Sequence, residues 1–288
     1  KLQRAEFIKM TGGLAFLLLS NKMTLAGSRF SSDLVSNAQK REEYTIALLK
    51  QLVTDIGPRP SGSKAYARAA KIVLKEMQRS LPQAGYDKYE FEDWGPVSSS
   101  DLIVGGQRIE AIPQKRGFGT PAEGVKGLFV KNANGYAISD GENGRILAYF
   151  SVNQYGRAIA GSASGNLDKS VPVFGLGKQD ILLLDRSAKN KIQAWIKSEY
   201  KPIHKAPGIN VIGRIPGKSK DEILIIAHLD TIFNTPGAND NAASVIVMLM
   251  LAHAASSREN KHTLTFVASD SEEYVYEGAY HYAGGRIA

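Results

Sequence analysis

The sequence predicts an α/β fold that carries a β-rich insert, and three observations lead there. Between residues 206 and 288, the apolar runs Glu222–Ala227 and His262–Ala268 flank a longer apolar segment, Asn241–Ala255. That is a βαβ pattern, in which nearly continuous apolar strands are parallel and covered on both faces. Residues 37–83 show helical periodicity, whereas residues 93–205 break into short strands separated by glycines. The 288-residue length allows one large domain or two ordinary ones, and 43% hydrophobic residues suffice for a core.

The N-terminus reads as a targeting segment. Lys1, Arg4 and Lys9 form a basic lead, Met10–Ser20 is uncharged and mostly apolar, and Thr24-Leu-Ala26 offers a small-x-Ala cleavage site. This layout predicts an export signal over 1–26 and a mature protein in the periplasm or outside the cell; the run is too short to span as an ordinary helix. Arg4-Ala-Glu-Phe-Ile-Lys9 approaches the twin-arginine pattern, but Ala5 stands where the second arginine belongs.

Two helices follow. In Glu42–Thr54, Tyr44, Leu48, Leu49, Leu52 and Val53 fall on one stripe; in Ser63–Leu81, Tyr66, Ala69, Ala70, Val73, Leu74 and Met77 do the same. The turn between them, Ile56-Gly-Pro-Arg-Pro-Ser-Gly-Ser63, offers Ser61 or Ser63 as a helix cap. Lys88–Glu92 reads as a strand. In the 93–205 insert, Leu102–Val104, Val125–Phe129, Arg145–Phe150 and Val171–Phe174 read as strands, with a hairpin turn at 141–144 and a new element starting at Asp180–Leu184. Gly161-Ser-Ala-Ser-Gly165 fails as a nucleophile elbow because Ala163 holds the central place. His204 sits on a basic linker and reads as solvated. Gly213-Arg-Ile-Pro-Gly-Lys-Ser219 fails as a phosphate loop because its glycines are one residue too close.

Composition narrows the chemistry. With no cysteine, disulfide scaffolds, thiol nucleophiles and iron–sulfur clusters are excluded. The net charge of +8 is spread through the first two thirds without a dense basic run among aromatics, which argues against nucleic-acid binding. Residues 206–288 hold six basic and nine acidic residues. Those acids cluster where strands end. His228-Leu-Asp230 leaves the first apolar strand, Pro236-Gly-Ala-Asn-Asp240 precedes the helix, and Asp270-Ser-Glu-Glu273 leaves the next strand. In open α/β sheets the carboxyl ends of strands are where ligands sit. A histidine followed two residues on by an aspartate suits a metal ligand whose tautomer a carboxylate fixes. Adjacent glutamates can divide the work of binding a cation and taking a proton from water. Each motif alone also has a plain reading, as a capping aspartate or a solvated acidic loop; the three together within 46 residues are far more specific.

His228-Leu-Asp, Gly237-Ala-Asn-Asp-Asn and Ser271-Glu-Glu-Tyr with Glu277-Gly-Ala resemble the co-catalytic zinc exopeptidases, a family that includes secreted bacterial aminopeptidases, glutamate carboxypeptidases and the inactive transferrin receptor. The 56–63 turn and Asn210-Val-Ile-Gly-Arg-Ile-Pro-Gly are similar to that family as well, and residues 93–205 resemble its inserted protease-associated domain. The resemblance implies a mostly parallel mixed sheet flanked by helices, built discontinuously from 27–92 and 206–288. It implies that His228 binds one zinc, Asp230 orients it, Asp240 bridges two zincs, Glu273 binds the second, and Glu272 is the general base. Asn239 stands where the family often has an acid. A further aspartate and histidine of the family pattern are not matched by His253 or His281, so the sequence is expected to be the front part of a longer protein, incomplete as a metal site and inactive by itself. The implied activity is hydrolysis of peptides, most closely that of an aminopeptidase. A carboxypeptidase or dipeptidase, glutaminyl cyclisation, and a receptor-like binding protein are the alternatives the same scaffold allows. Peptide is the implied partner, no stable membrane span is expected after signal removal, and the sequence does not set the oligomeric state.

Overall fold

The computed structural model describes residues 34, 36–93, 100–114, 119–133, 135–141, 143–160, 171–198, 204–274 and 276–287. The export signal expected over 1–26 and the 161–165 segment lie outside these. The chain divides into two compact units, one of residues 1–91 with 205–288 and one of residues 92–204.

In the first unit, helix α1 (Ala38–Leu49) starts where the Asn37 side chain accepts from the Lys40 amide at 3.1 Å. It continues through a wider π-type stretch, Lys50–Ile56. Helix α2 (Lys64–Ser80) is capped by Ser63, whose hydroxyl accepts from the Tyr66 amide at 3.0 Å. Strand β1 (Gln83–Asp93) leads into the second unit.

That unit comprises β2 (Ser100–Val104), β3 (Gln107–Pro113), β4 (Val125–Asn132), β5 (Gly135–Ser139), β6 (Ile146–Asn153), β7 (Val173–Gly177), helix α3 (Ile181–Lys189) and β8 (Gln193–Lys197). The strands close into a barrel in the order β2-β3-β7-β6-β5-β4-β8. Closure removes exposed sheet edges. Its interior is filled by Leu102, Phe129, Tyr136, Phe150, Phe174 and Ile196, with the Phe129 and Tyr136 rings stacked at 5.3 Å. Strands β3, β5 and β8 had no distinct signal in the sequence, because they are short and interrupted by polar residues or glycine. At the 141–144 turn the Asp140 carboxylate accepts from the amides of Asn143 and Arg145, each at 3.2 Å. The element begun at Asp180 is α3, whose Leu184 and Ala188 pack into the barrel core.

The first unit resumes with β9 (His204–Ile215), β10 (Glu222–His228), helix α4 (Ala243–Ser256), β11 (Thr263–Ser269) and helix α5 (Glu277–Ile287). The sheet order is β1-β9-β11-β10. Strands β10 and β11 are parallel, with His228 opposite Ser269, whereas β9 runs antiparallel to β11. The sheet is therefore mixed, and the expected mostly parallel character is confined among the described pairs to β10 and β11. Helices α1, α2 and α4 cover one face through Leu48, Leu52, Val73, Met77, Val245 and Leu249, against Val211, Ala227 and Phe266. On the other face Tyr282 of α5 packs on Ile212 and Val267. Helix α4 is less enclosed than its all-apolar sequence suggested: Val247 and Leu251 are each 50% exposed. Among the described residues no helix is long and apolar enough to cross a membrane.

Candidate metal centre

The parallel pairing of β10 and β11 makes both strands end on the same edge. The ladder reaches His228 and Ser269, and the Leu229 amide still donates to the Ser269 carbonyl at 2.8 Å. Past that bond the two chains part, and their polar residues project from one edge. The short turn Glu272–Tyr274 follows β11 directly. Ser271 enters it at φ 57, a left-handed backbone unusual for serine, and the Tyr89 hydroxyl donates to its side chain at 3.2 Å.

His228 and Asp240 meet here. The Nε2 of His228 lies 2.9 Å from Oδ1 of Asp240, and 3.8 Å from Oε2 of Glu272. Donor atoms in a tetrahedral zinc site stand about 3.3 Å apart, given bonds of about 2.0–2.2 Å. His228 and Asp240 thus suit a divalent cation in donor chemistry, and their 2.9 Å hydrogen bond would have to open by about 0.4 Å to admit one. As the side chains stand, no group of three or more among the described residues forms a metal cage. Glu272 is near but not in place as a third, and Glu273 is half-buried on the same turn.

Asp240 was open to a reading as the N-cap of α4. The structure excludes it. Asp240 has φ −118° and ψ 90°, no side-chain cap bond marks this helix start, and regular helix begins at Ala243. The carboxylate is instead 74% exposed and turned to His228. Gly237 makes the sharp approach to it, at φ 59, where a Cβ would lie 2.2 Å from the Thr231 methyl and 2.6 Å from the Asp240 carbonyl.

Asp230, expected to orient His228, lies on the Nδ1 side of that ring. The Nδ1 of His228 bonds to the backbone carbonyl of Asp230 at 3.2 Å, while the carboxylate stands at 3.6 Å. That carboxylate, fully buried, accepts from the amides of Glu272 and Glu273, each at 3.1 Å, and from the Ser61 hydroxyl at 3.2 Å. Asp230 therefore ties the glutamate turn to the end of β10, and both its carbonyl and its carboxylate face the Nδ1 of the imidazole.

Asp270 is equally buried and serves the backbone. Its carboxylate accepts from the amides of Ile209 at 2.9 Å and Ser271 at 2.7 Å, and its own amide donates to Asn210 at 3.0 Å. Burial, reinforced by the nearby Asp230, raises its pKa well above the usual carboxylate range. For His228, burial alone would favour the neutral ring. The Asp230, Glu272 and Asp240 carboxylates outweigh burial and push its pKa up to about 9. The strand ends thus form a pocket of negative potential that favours a cation.

Sequence reasoning missed Arg59, Ser61, Tyr89 and Asn210 as parts of this edge. Arg59 is wholly buried and donates to the carbonyls of Leu229 and Pro236. The one available signal was an arginine between two prolines in an otherwise small and apolar turn. Ser61 turned out to bind Asp230 rather than cap α2. Two further histidines are engaged elsewhere: His281 bonds to Asp87 at 3.2 Å and stacks on Tyr89, and His253 lies in α4 against Tyr44.

A single comparison ties this geometry to known proteins. Residues 210–286 match the model of peptidase family M28. That stretch, about a quarter of the chain, contains all three strand-end motifs on which the resemblance to zinc exopeptidases rests. Aminopeptidase YwaD of Bacillus subtilis (strain 168) is 25% identical over 284 residues, a match covering 86% of this chain and 60% of YwaD. The chain thus spans about three fifths of the length of that curated relative. Among solved structures, the zinc aminopeptidase BSAP from Bacillus subtilis aligns with TM-score 0.64 at 23% identity, over 84% of this chain and 64% of BSAP. A peptidase M28 precursor from Shewanella amazonensis aligns with TM-score 0.69 at 17% identity, over 90% of this chain and 70% of its own. The chain shares its fold with these two solved structures.

Proposed function

We propose that this chain carries the zinc-binding front of a secreted exopeptidase that removes residues from peptide N-termini. The observation that carries the reading is the convergence of His228, Asp240 and Glu272 on one edge of the β10–β11 pair, within 3.8 Å of one imidazole nitrogen. The names of the similar proteins, a zinc aminopeptidase among them, support zinc and the amino-terminal direction. The basic and apolar pattern of residues 1–26 supports export. Residues 93–205 would be a protease-associated-like insert.

In this reading His228, Asp240 and Glu273 are the residues that would hold zinc. Bound zinc supplies positive charge that acidifies water and polarises a carbonyl oxygen. Glu272 takes the proton of the attacking water and passes it to the departing amine. Its carboxylate suits that work because it stands at the strand edge, 3.8 Å from the His228 nitrogen. Asp230 holds the amides of Glu272 and Glu273, which keeps both carboxylates at the strand edge.

The test compares, in the full-length protein, wild type with Glu272→Gln for zinc content and for turnover of an aminoacyl p-nitroanilide. Turnover should fall at least about 100-fold, the usual contribution of a general base, with zinc content unchanged. A variant that keeps most of its turnover refutes the assignment. Cleavage of N-blocked peptides with free carboxyl ends, in place of the anilide, would move the reading to a carboxypeptidase.

A further inference from the structure

Arg59 is the largest wholly buried polar side chain of the described residues, and its partners are spread along one segment. Its Nε donates to the Leu229 carbonyl at 2.6 Å, between His228 and Asp230. Nη1 donates to the Pro236 carbonyl at 2.7 Å and Nη2 to that of Gly237 at 3.1 Å, three residues before Asp240. Longer bonds run from Nη1 to Leu52 at 3.3 Å and Gly57 at 3.4 Å. The backbone adds a reciprocal pair with Thr231: the Arg59 amide donates to its hydroxyl at 2.9 Å, and the Thr231 amide donates to the Arg59 carbonyl at 3.3 Å.

We propose that Arg59 is a positioning residue that sets the separation of His228 and Asp240, by tying together the two backbone segments that present them. This rests on the reading that those two side chains hold a metal. The planar guanidinium is suited to it, since its fork can serve several carbonyls in fixed directions, which a lysine ammonium cannot. Among the described residues no carboxylate lies within ion-pair distance of it. A cation buried on carbonyls alone is an expensive way to fill space, because desolvation opposes its charge. Burial indeed lowers its pKa to about 10, while Asp230 is the carboxylate that favours the charge, so it stays cationic at neutral pH. The place of this cation beneath an acidic edge is what a merely space-filling role leaves unexplained.

The experiment uses the whole chain, stripped of metal with a chelator, as wild type, Arg59→Met and the milder Arg59→Lys. Hydrogen exchange of the metal-free proteins should show amides of 229–242 exchanging at least about 10-fold faster in the variants, with 64–80 and 125–153 unchanged. Unchanged exchange over 229–242 in a folded variant overturns the proposal. Zinc affinity, read by competition with a chromophoric chelator, should fall about 10- to 100-fold, as for other residues that orient metal ligands. In an Asp240→Ala background, Arg59→Met should cause no more than about a twofold further loss, because it acts through that ligand. The same full loss in both backgrounds, or a lowered melting temperature with zinc affinity intact, overturns it. A wild type that binds no zinc would sink the metal reading, and the exchange measurement would still decide whether Arg59 holds the segment.

Discussion

Replacing Asp230 by Asn removes one negative charge from a wholly buried carboxylate while keeping its shape. The native group accepts three hydrogen bonds, from the amides of Glu272 and Glu273 and from the Ser61 hydroxyl. An asparagine carbonyl can serve one of the two amides, but its NH2 then faces the other, and that buried N–H is left without an acceptor. The orphaned group costs about 1–3 kcal/mol, and loss of charge assistance on the surviving bonds adds about 1–2 more. Opposing this, Asp230 raises the pKa of buried Asp270, so neutralising Asp230 relieves a repulsion and returns part of the loss. The net should be about 2–4 kcal/mol of local stability, concentrated in the turn after β11. Native-state hydrogen exchange reads it directly: protection over residues 263–274 should fall roughly 30- to 900-fold at about 1.4 kcal/mol per tenfold. The barrel peptides 125–153 serve as the internal control. A change under threefold in 263–274 would show that the Glu272–Glu273 turn does not depend on this carboxylate.

Further outcomes follow from the same structure. Burial, aided by Arg79, pushes the pKa of His253 down to about 4, so the folded protein keeps it neutral while an unfolded chain protonates it near 6.5. Its contribution is therefore present above pH about 6.5 and is lost as pH falls toward 4, at most about 3 kcal/mol. Urea unfolding at pH 7 and pH 4.5 should show a smaller acid loss in His253→Phe than in wild type; equal losses would remove His253 from the account. At Gly278 an added Cβ would lie 2.2 Å from the Asp270 carbonyl and 2.5 Å from Asn210 Oδ1. Gly278→Ala should thus destabilise by about 1–3 kcal/mol in spite of alanine's better helix propensity, as a lowered urea midpoint. A neutral or raised midpoint would mean that α5 can shift away from Asp270 freely.

Much of the α/β framework was legible because its signals are local. The run Glu222–Ala227 is apolar at nearly every place and forms a strand parallel to β11, with the polar burst His228-Leu-Asp at its end. The cover expected on both faces is not there, since β10 stands last in the sheet order with Ile223 and Ile226 47% and 45% exposed. The stripe from Tyr66 to Met77 announces α2 in the same way. The antiparallel course of β9 was not legible, since an apolar strand looks alike in either direction. The openness of α4 at Val247 and Leu251 was hidden too, for a uniformly apolar helix does not say which side is covered.

Within the site the same division holds. His228, Asp240 and Glu272 could be singled out because chemically distinctive residues follow strand ends, and parallel pairing then brings those ends to one edge. What the tertiary structure alone decided is which partner each polar group takes. Asp230 accepts from two amides of the glutamate turn at 3.1 Å as well as facing the imidazole at 3.6 Å, a second partner that its place in the sequence does not announce. Ser61 and Arg59 enter from about 170 residues earlier in the chain, through bonds to Asp230 and Leu229. A side chain that bonds to backbone carbonyls meets a group every residue possesses, so no pattern of residue types records it. The sequence by itself determined where the strands end and which chemistry stands there; the folded chain determined, by distances of a few tenths of an ångström, how that chemistry is held.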